Sequence, residues 1–149
     1  MKTKLALGAL LLAAITVFSF KNFTIQNKQD TWTQKQLMEP AKLAAIINNP
    51  DAVKPLIYSI GFEGGIKGSV VIGPVSEDSN LAKFKTALSK LPKNANIVIY
   101  CGCCPFEHCP NIRPAFRLLN QMKFTNQKML NLSHNLRADW ISKGYPMSN

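Results

Sequence analysis

The sequence predicts an α/β domain in which one parallel β-sheet carries helices on both faces. Three observations lead there. Short apolar runs at 56–60, 69–72, 97–100 and 128–132 have the length and the β-branched or bulky composition of buried strands. Between and after them stand stretches with apolar residues at helical spacing. Strand and helix alternate along the chain, and that order feeds parallel strands through right-handed crossovers. With 149 residues, of which 46% are hydrophobic, the chain has room for one core.

Residues 1–20 stand apart from this domain. Lys2 and Lys4 precede an uncharged apolar run from Leu5 to Phe20, the pattern of a secretory signal peptide. A cut after Ser19 has small residues at Val17 and Ser19, while Phe18 and Phe20 disturb the site, so a retained N-terminal membrane anchor is the other reading. Either reading expects a chain that is periplasmic or otherwise exported, with residues 5–20 as a membrane tether in the second. Residues 21–31 are polar and aperiodic and read as a linker, leaving 32–149 as the domain.

The net charge is +10. Its lysines are scattered from Lys21 to Lys143 with no basic run, so the charge reads as a solvated surface and a nucleic-acid partner is not expected. A monomer is expected.

Within the domain, Thr33 and Gln36 have capping-box spacing for a short helical piece holding Leu37 and Met38. Pro40 suits a first helical turn, and Leu43, Ala44, Ile46 and Ile47 form a stripe ended by Asn48, Asn49 and Pro50. The run Leu56 to Ile60 stops at Gly61, and glycines at 61, 64, 65 and 68 make a loop leading into a short strand, Ser69 to Ile72. Leu81, Phe84, Leu88 and Leu91 mark a helix over 80–91. Further helices are expected over 112–122 and 135–142, the last with Trp140 and Ile141 inward.

The stretch 97–116, IVIYCGCCPFEHCPNIRPAF, concentrates the chemistry. A buried strand ends directly on Cys101, and all four cysteines, Cys101, Cys103, Cys104 and Cys109, fall within nine positions together with His108. A helix follows from about Ile112. Ligands of parallel sheets sit at the carboxyl ends of strands, and a following helix offers free N–H groups that draw a thiol toward thiolate.

In element order the chain resembles a single rhodanese-like domain over roughly 32–146. Leu56 to Pro74 is similar to the family's first strand and its glycine-rich turn, with Gly65, Ile66, Lys67, Gly68 and Ser69 in the turn positions. Ile97 to Cys101 resembles the strand ending in the family's active cysteine, and Trp140 to Pro146, WISKGYP, resembles its closing motif. Three departures accompany the likeness. Arg113 follows Cys101 by twelve positions, longer than the family's tight loop; Gly65 stands where the family has histidine; Ser59 to Gly61 replace its acidic residue and arginine.

The resemblance implies a thiosulfate-type sulfurtransferase that carries sulfane sulfur as a persulfide on Cys101. Such a site needs a low-pKa thiol, backbone donors for the anion and a cation for the donor. Gly102, Cys103, Cys104 and Arg113 are the expected substrate-binding residues, with Lys123 a second nearby cation. The partners implied are a small sulfur-containing anion and a thiol acceptor, with no cofactor.

Other readings use the same loop, residues 101–109: a metal site, a thiol-redox site, a phosphatase loop, or a non-catalytic binding domain, a role rhodanese-like domains without a standard active loop often serve. Four cysteines and a histidine supply soft metal ligands, but adjacent Cys103 and Cys104 and the lack of a second ligand pair make poor metal spacing, and no metal is expected. Pairing of Cys103 or Cys104 with Cys109 would make a staple or a redox pair, or Cys101 would take a resolving thiol. His108, Cys109 and Arg113 look like a cysteine-phosphatase loop shortened to three intervening residues, too few to wrap a phosphate. His108 and His134 read as solvent-facing loop residues.

Overall fold

The computed structural model describes residues 32–62 and 64–148. The segments read as export signal or anchor (1–20) and linker (21–31) lie outside the described residues. Among those described, no helix is long and apolar enough to cross a membrane.

Five strands form one parallel sheet: β1 (Leu37–Met38), β2 (Leu56–Ser59), β3 (Ser69–Val71), β4 (Ile97–Tyr100) and β5 (Gln127–Leu130), in the order β1-β5-β4-β2-β3. The helices are α1 (Pro40–Asn48), α2 (Asp78–Ser89), α3 (Ile112–Gln121) and α4 (Leu136–Asp139).

Central β4 explains the layering. All four of its residues are buried, as a strand covered on both faces requires. Ile97 and Ile99 point into a core with Phe84 and Leu88 of α2 and Phe116 and Leu119 of α3. Val98 and Tyr100 point into a second core with Leu43 and Ile47 of α1, Leu136 of α4 and Trp140. Side chains alternate along a strand, so Cys101 shares the face of Ile97 and Ile99 and belongs to the core that α3 covers.

The N-terminal piece differs from the sequence reading. The Gln36 side chain does accept from the Thr33 N–H at 2.8 Å, but the turn it caps covers only Gln34–Gln36. Leu37 and Met38 instead pair with Met129 and Leu130 as an edge strand. A two-residue strand carries no alternation to read, and only its partner creates it. The last helix is also shorter than expected, ending at Asp139 before a 3₁₀ turn at Ile141–Lys143, and Ile141 is exposed while Trp140 is fully buried.

The glycine loop before β3 is held by its surroundings. The Tyr100 hydroxyl hydrogen-bonds the Ser69 hydroxyl at 3.1 Å and accepts from the Ile66 N–H at 3.4 Å. From the other side the closing segment reaches it: Lys67 N–H donates to Pro146 O at 3.1 Å, and Ser148 N–H to Gly65 O at 2.7 Å. The Trp140 indole N–H donates to Pro146 O at 3.1 Å, fixing that segment in turn.

Candidate thiolate site

Cys101 lies one residue past β4, 1% exposed. Its neighbour across the sheet is the end of β2, where the Ile60 N–H donates to Tyr100 O at 2.9 Å. Gly61 comes so close that a Cβ there would stand 2.6 Å from the Cys101 Sγ. The missing side chain makes room for the sulfur.

Four donors surround that sulfur. The Cys109 thiol, the Asn111 side-chain amide, the Cys103 backbone N–H and the Cys103 thiol all bond it. Asn111 Nδ2 lies 3.5 Å from the Cys101 Sγ, as does the Cys103 Sγ. Hydrogen bonds to a charged form favour it. The Cys109 hydrogen bond contributes most, and together these donors overcome burial and hold the Cys101 thiol at about 5, far below the ordinary thiol range.

The partners shift the opposite way. The Cys109 thiol is pushed well up, chiefly by its hydrogen bond to Cys101 and by burial. Cys103 is an exposed residue whose sulfur turns in against two others; desolvation there, then its bonds to Cys104 and Cys101, push it up to about 12. Of the three sulfurs that bond one another here, charge is therefore favoured on Cys101 over Cys103 and Cys109.

Asn111 is the residue that sequence reasoning passed over. It is 1% exposed, precedes α3, and its Oδ1 accepts from the Ser76 N–H at 2.9 Å, which orients Nδ2 toward the sulfur. A buried amide at a helix start after a cysteine loop is the signal that could have found it.

The long loop has a defined path. Gly102 O accepts from the Leu136 N–H at 2.9 Å, and Phe106 N–H donates to Leu132 O at 3.1 Å, opening a 3₁₀ turn over Phe106–His108. That turn brings Cys109 back into the core, fully buried against Cys101, rather than out on a lobe with Cys103 and Cys104. All four cysteines are free thiols. Cys103 lies beside Cys101 and Cys104, at 3.5 and 3.4 Å, and the Cys109 thiol hydrogen-bonds Cys101.

Arg113 is held by partners of its own. Its guanidinium donates to Glu107 O at 2.9 Å and stacks over Trp32 at 5.5 Å, and Trp32 in turn packs edge-on against Phe106 and Phe116. The cation found with Gly102 and Cys103 is Arg137, which lines a cavity of about 340 Å³ with them, Asn135 and Ile141. Arg137 lies far along the sequence from the cysteines, and only the docking of α4 brings it to them. His108 is exposed; His134 is 72% exposed, and its Nδ1 lies 3.0 Å from Asp139 Oδ1.

The sulfurs of Cys101, Cys103 and Cys109 all lie within 4.8 Å of one another. The sequence reading expected no metal; the geometry gives a soft ion three candidate ligands.

No protein-family model matches the sequence, and no curated protein matches it significantly. Among solved structures, the Saccharomyces cerevisiae single-domain sulfurtransferase RDL2 is similar: the match has a TM-score of 0.51 at 13% identity and covers 76% of this chain and 94% of that one. A five-stranded parallel sheet, helices on both faces and this likeness together give the chain a rhodanese-like fold.

Proposed function

We propose that this chain is an exported sulfurtransferase that carries sulfane sulfur as a persulfide on Cys101. The observation that carries the reading is the ring of donors that keeps the Cys101 sulfur anionic at the carboxyl end of the central strand. The rhodanese-like fold, shared with the sulfurtransferase RDL2, supports it. In the first step the Cys101 thiolate attacks the outer sulfur of a donor such as thiosulfate. The new Sγ–S bond forms as the sulfur–sulfur bond of the donor breaks, and sulfite leaves with the electron pair. Arg137, beside Gly102 and Cys103, supplies positive charge for the donor's sulfonate end. A thiol then takes the sulfur.

Export rests on residues 1–20, and a retained segment there would tether the domain to a membrane. The reading takes no cofactor and no nucleic-acid partner. Intact mass after exposure of the reduced protein to thiosulfate tests it. The expected result is a gain of one sulfur atom that a reductant removes and that Cys101→Ser lacks. Uptake by Cys101→Ser at the parent rate would falsify the assignment.

Convergence of three sulfurs favours a second reading, a site for a thiophilic ion such as copper(I) or zinc. It ranks lower because adjacent Cys103 and Cys104 and the lack of a second ligand pair elsewhere in the sequence make poor metal spacing. Elemental analysis of protein purified under reducing conditions discriminates: one ion per chain would reverse the order.

A further inference from the structure

We propose that the sulfane sulfur leaves the buried Cys101 by way of Cys103, which passes it to acceptors too large to reach Cys101 directly. This rests on the persulfide reading above and adds the route of delivery and the class of acceptor, a bulky thiol.

Geometry gives the route. Cys101 is 1% exposed, closed in by Gly61, Cys109 and Asn111. A slender donor whose terminal sulfur projects can present that atom to it, but a peptide thiol brings its own backbone and cannot follow. Cys103 is exposed, lines the cavity with Gly102 and Arg137, and holds its Sγ 3.5 Å from that of Cys101. Cys104 lies a further 3.4 Å on but is only half-exposed, so Cys103 is the outward end.

The step is a thiol exchange without net oxidation. Cys103 gives its proton to solvent, and its sulfur bonds the outer sulfur of the protonated Cys101 persulfide. The Cys101 Sγ–S bond breaks, and its electron pair returns to Cys101 as thiolate. Cys103 now carries the persulfide. Thiol acidity sets the direction: the lower-pKa thiol is the better leaving group and the more basic one the better nucleophile. The Asn111 amide, 3.5 Å from the Cys101 Sγ, receives the returning charge and makes Cys101 the better leaving group. Cys101 returns to its resting charge with its donors in place.

Single-turnover delivery from protein already loaded with thiosulfate and freed of excess donor tests this, with two acceptors: cyanide, which is small and linear, and reduced glutathione. Loaded Cys103→Ser should deliver to glutathione roughly tenfold more slowly than the parent, with a much smaller loss toward cyanide. Cys103→Ala serves as a second variant. Independently, alkylation and peptide mapping of the loaded parent should find sulfane sulfur on Cys103 as well as Cys101. Equal rates with both acceptors, or sulfur on Cys101 alone, overturns the relay while leaving the persulfide reading intact. Release of sulfide with formation of a Cys101–Cys103 disulfide overturns it too, because Cys103 would then have attacked the inner sulfur. A parent that takes up no sulfur overturns both.

Discussion

Gly61 and Cys101 meet at the carboxyl ends of adjacent strands, with room at position 61 for a hydrogen and not for a methyl group: a Cβ there would stand 2.6 Å from the Cys101 Sγ. Gly61→Ala must therefore move the sulfur or the end of β2. An ångström of misplacement at a reacting atom costs on the order of a hundredfold in rate. We expect thiosulfate uptake by Gly61→Ala to fall by that order while the fold persists, measured as single-turnover persulfide formation. A parent-like rate would show that the contact has no bearing on the chemistry.

Asn111 offers a separate test of the donor ring. In Asn111→Asp the oxygen facing Ser76 is retained, while the donor to Cys101 is replaced by a like charge. A hydrogen bond to a charged group contributes about 1.5–3 kcal/mol, so the Cys101 thiol should titrate about one pH unit or more higher. Ultraviolet thiolate absorbance against pH reads this. No movement would mean that Asn111 serves only to pin the Ser76 loop.

The pH profile follows from the depressed acidity of Cys101. Uptake of sulfur should be steady from neutrality down to about pH 6 and fall as the pH drops through about 5. The folded pKa lies below the unfolded value, so the charge contributes stability in full above the unfolded thiol pKa and loses it as the pH falls through about 5. Cys109→Ala removes the largest contributor to that depression and should move the midpoint upward; a midpoint that stays in place assigns the effect to Asn111 and Cys103.

Trp32 should matter to the loop more than its place at the start of the domain suggests. It packs edge-on against Phe106 of the loop and Phe116 of α3, with Arg113 over its ring. Each such aromatic pair is worth about 1 kcal/mol, and we expect Trp32→Ala to lower unfolding free energy by about 2 kcal/mol in denaturant. Susceptibility of the loop to proteolysis should rise with it. An unchanged midpoint would show that the ring only covers the surface.

How much of this was legible in the sequence depends on whether the signal was local. Ile97 to Tyr100 reads as a buried strand because apolarity on every residue is itself the pattern of a strand covered on both faces, and Cys101 inherits its position from it. Leu37 and Met38 were illegible as a strand because two residues have no period, and their pairing with β5 is supplied by residues ninety positions away. Cys109 reads as part of a proline-rich insertion; its burial depends on Phe106 bonding Leu132, which no spacing rule encodes. For Arg137 and Arg113 the difficulty is similar. A cation's place at the start of a helix does not say whether its long side chain turns toward the thiol or toward a carbonyl and an indole.

The two backbone bonds that tie the loop to later residues, Gly102 O to Leu136 and Phe106 to Leu132, also set an order of events in folding. Residues 101–109 leave the ribosome before the strand and helix that fix them. Domains fold as their later parts become available. Until β5 and α4 dock, the loop lacks these two anchors, and the contacts that single out Cys101 have nothing to hold them in register. The donor ring around one sulfur is thus a product of chain completion.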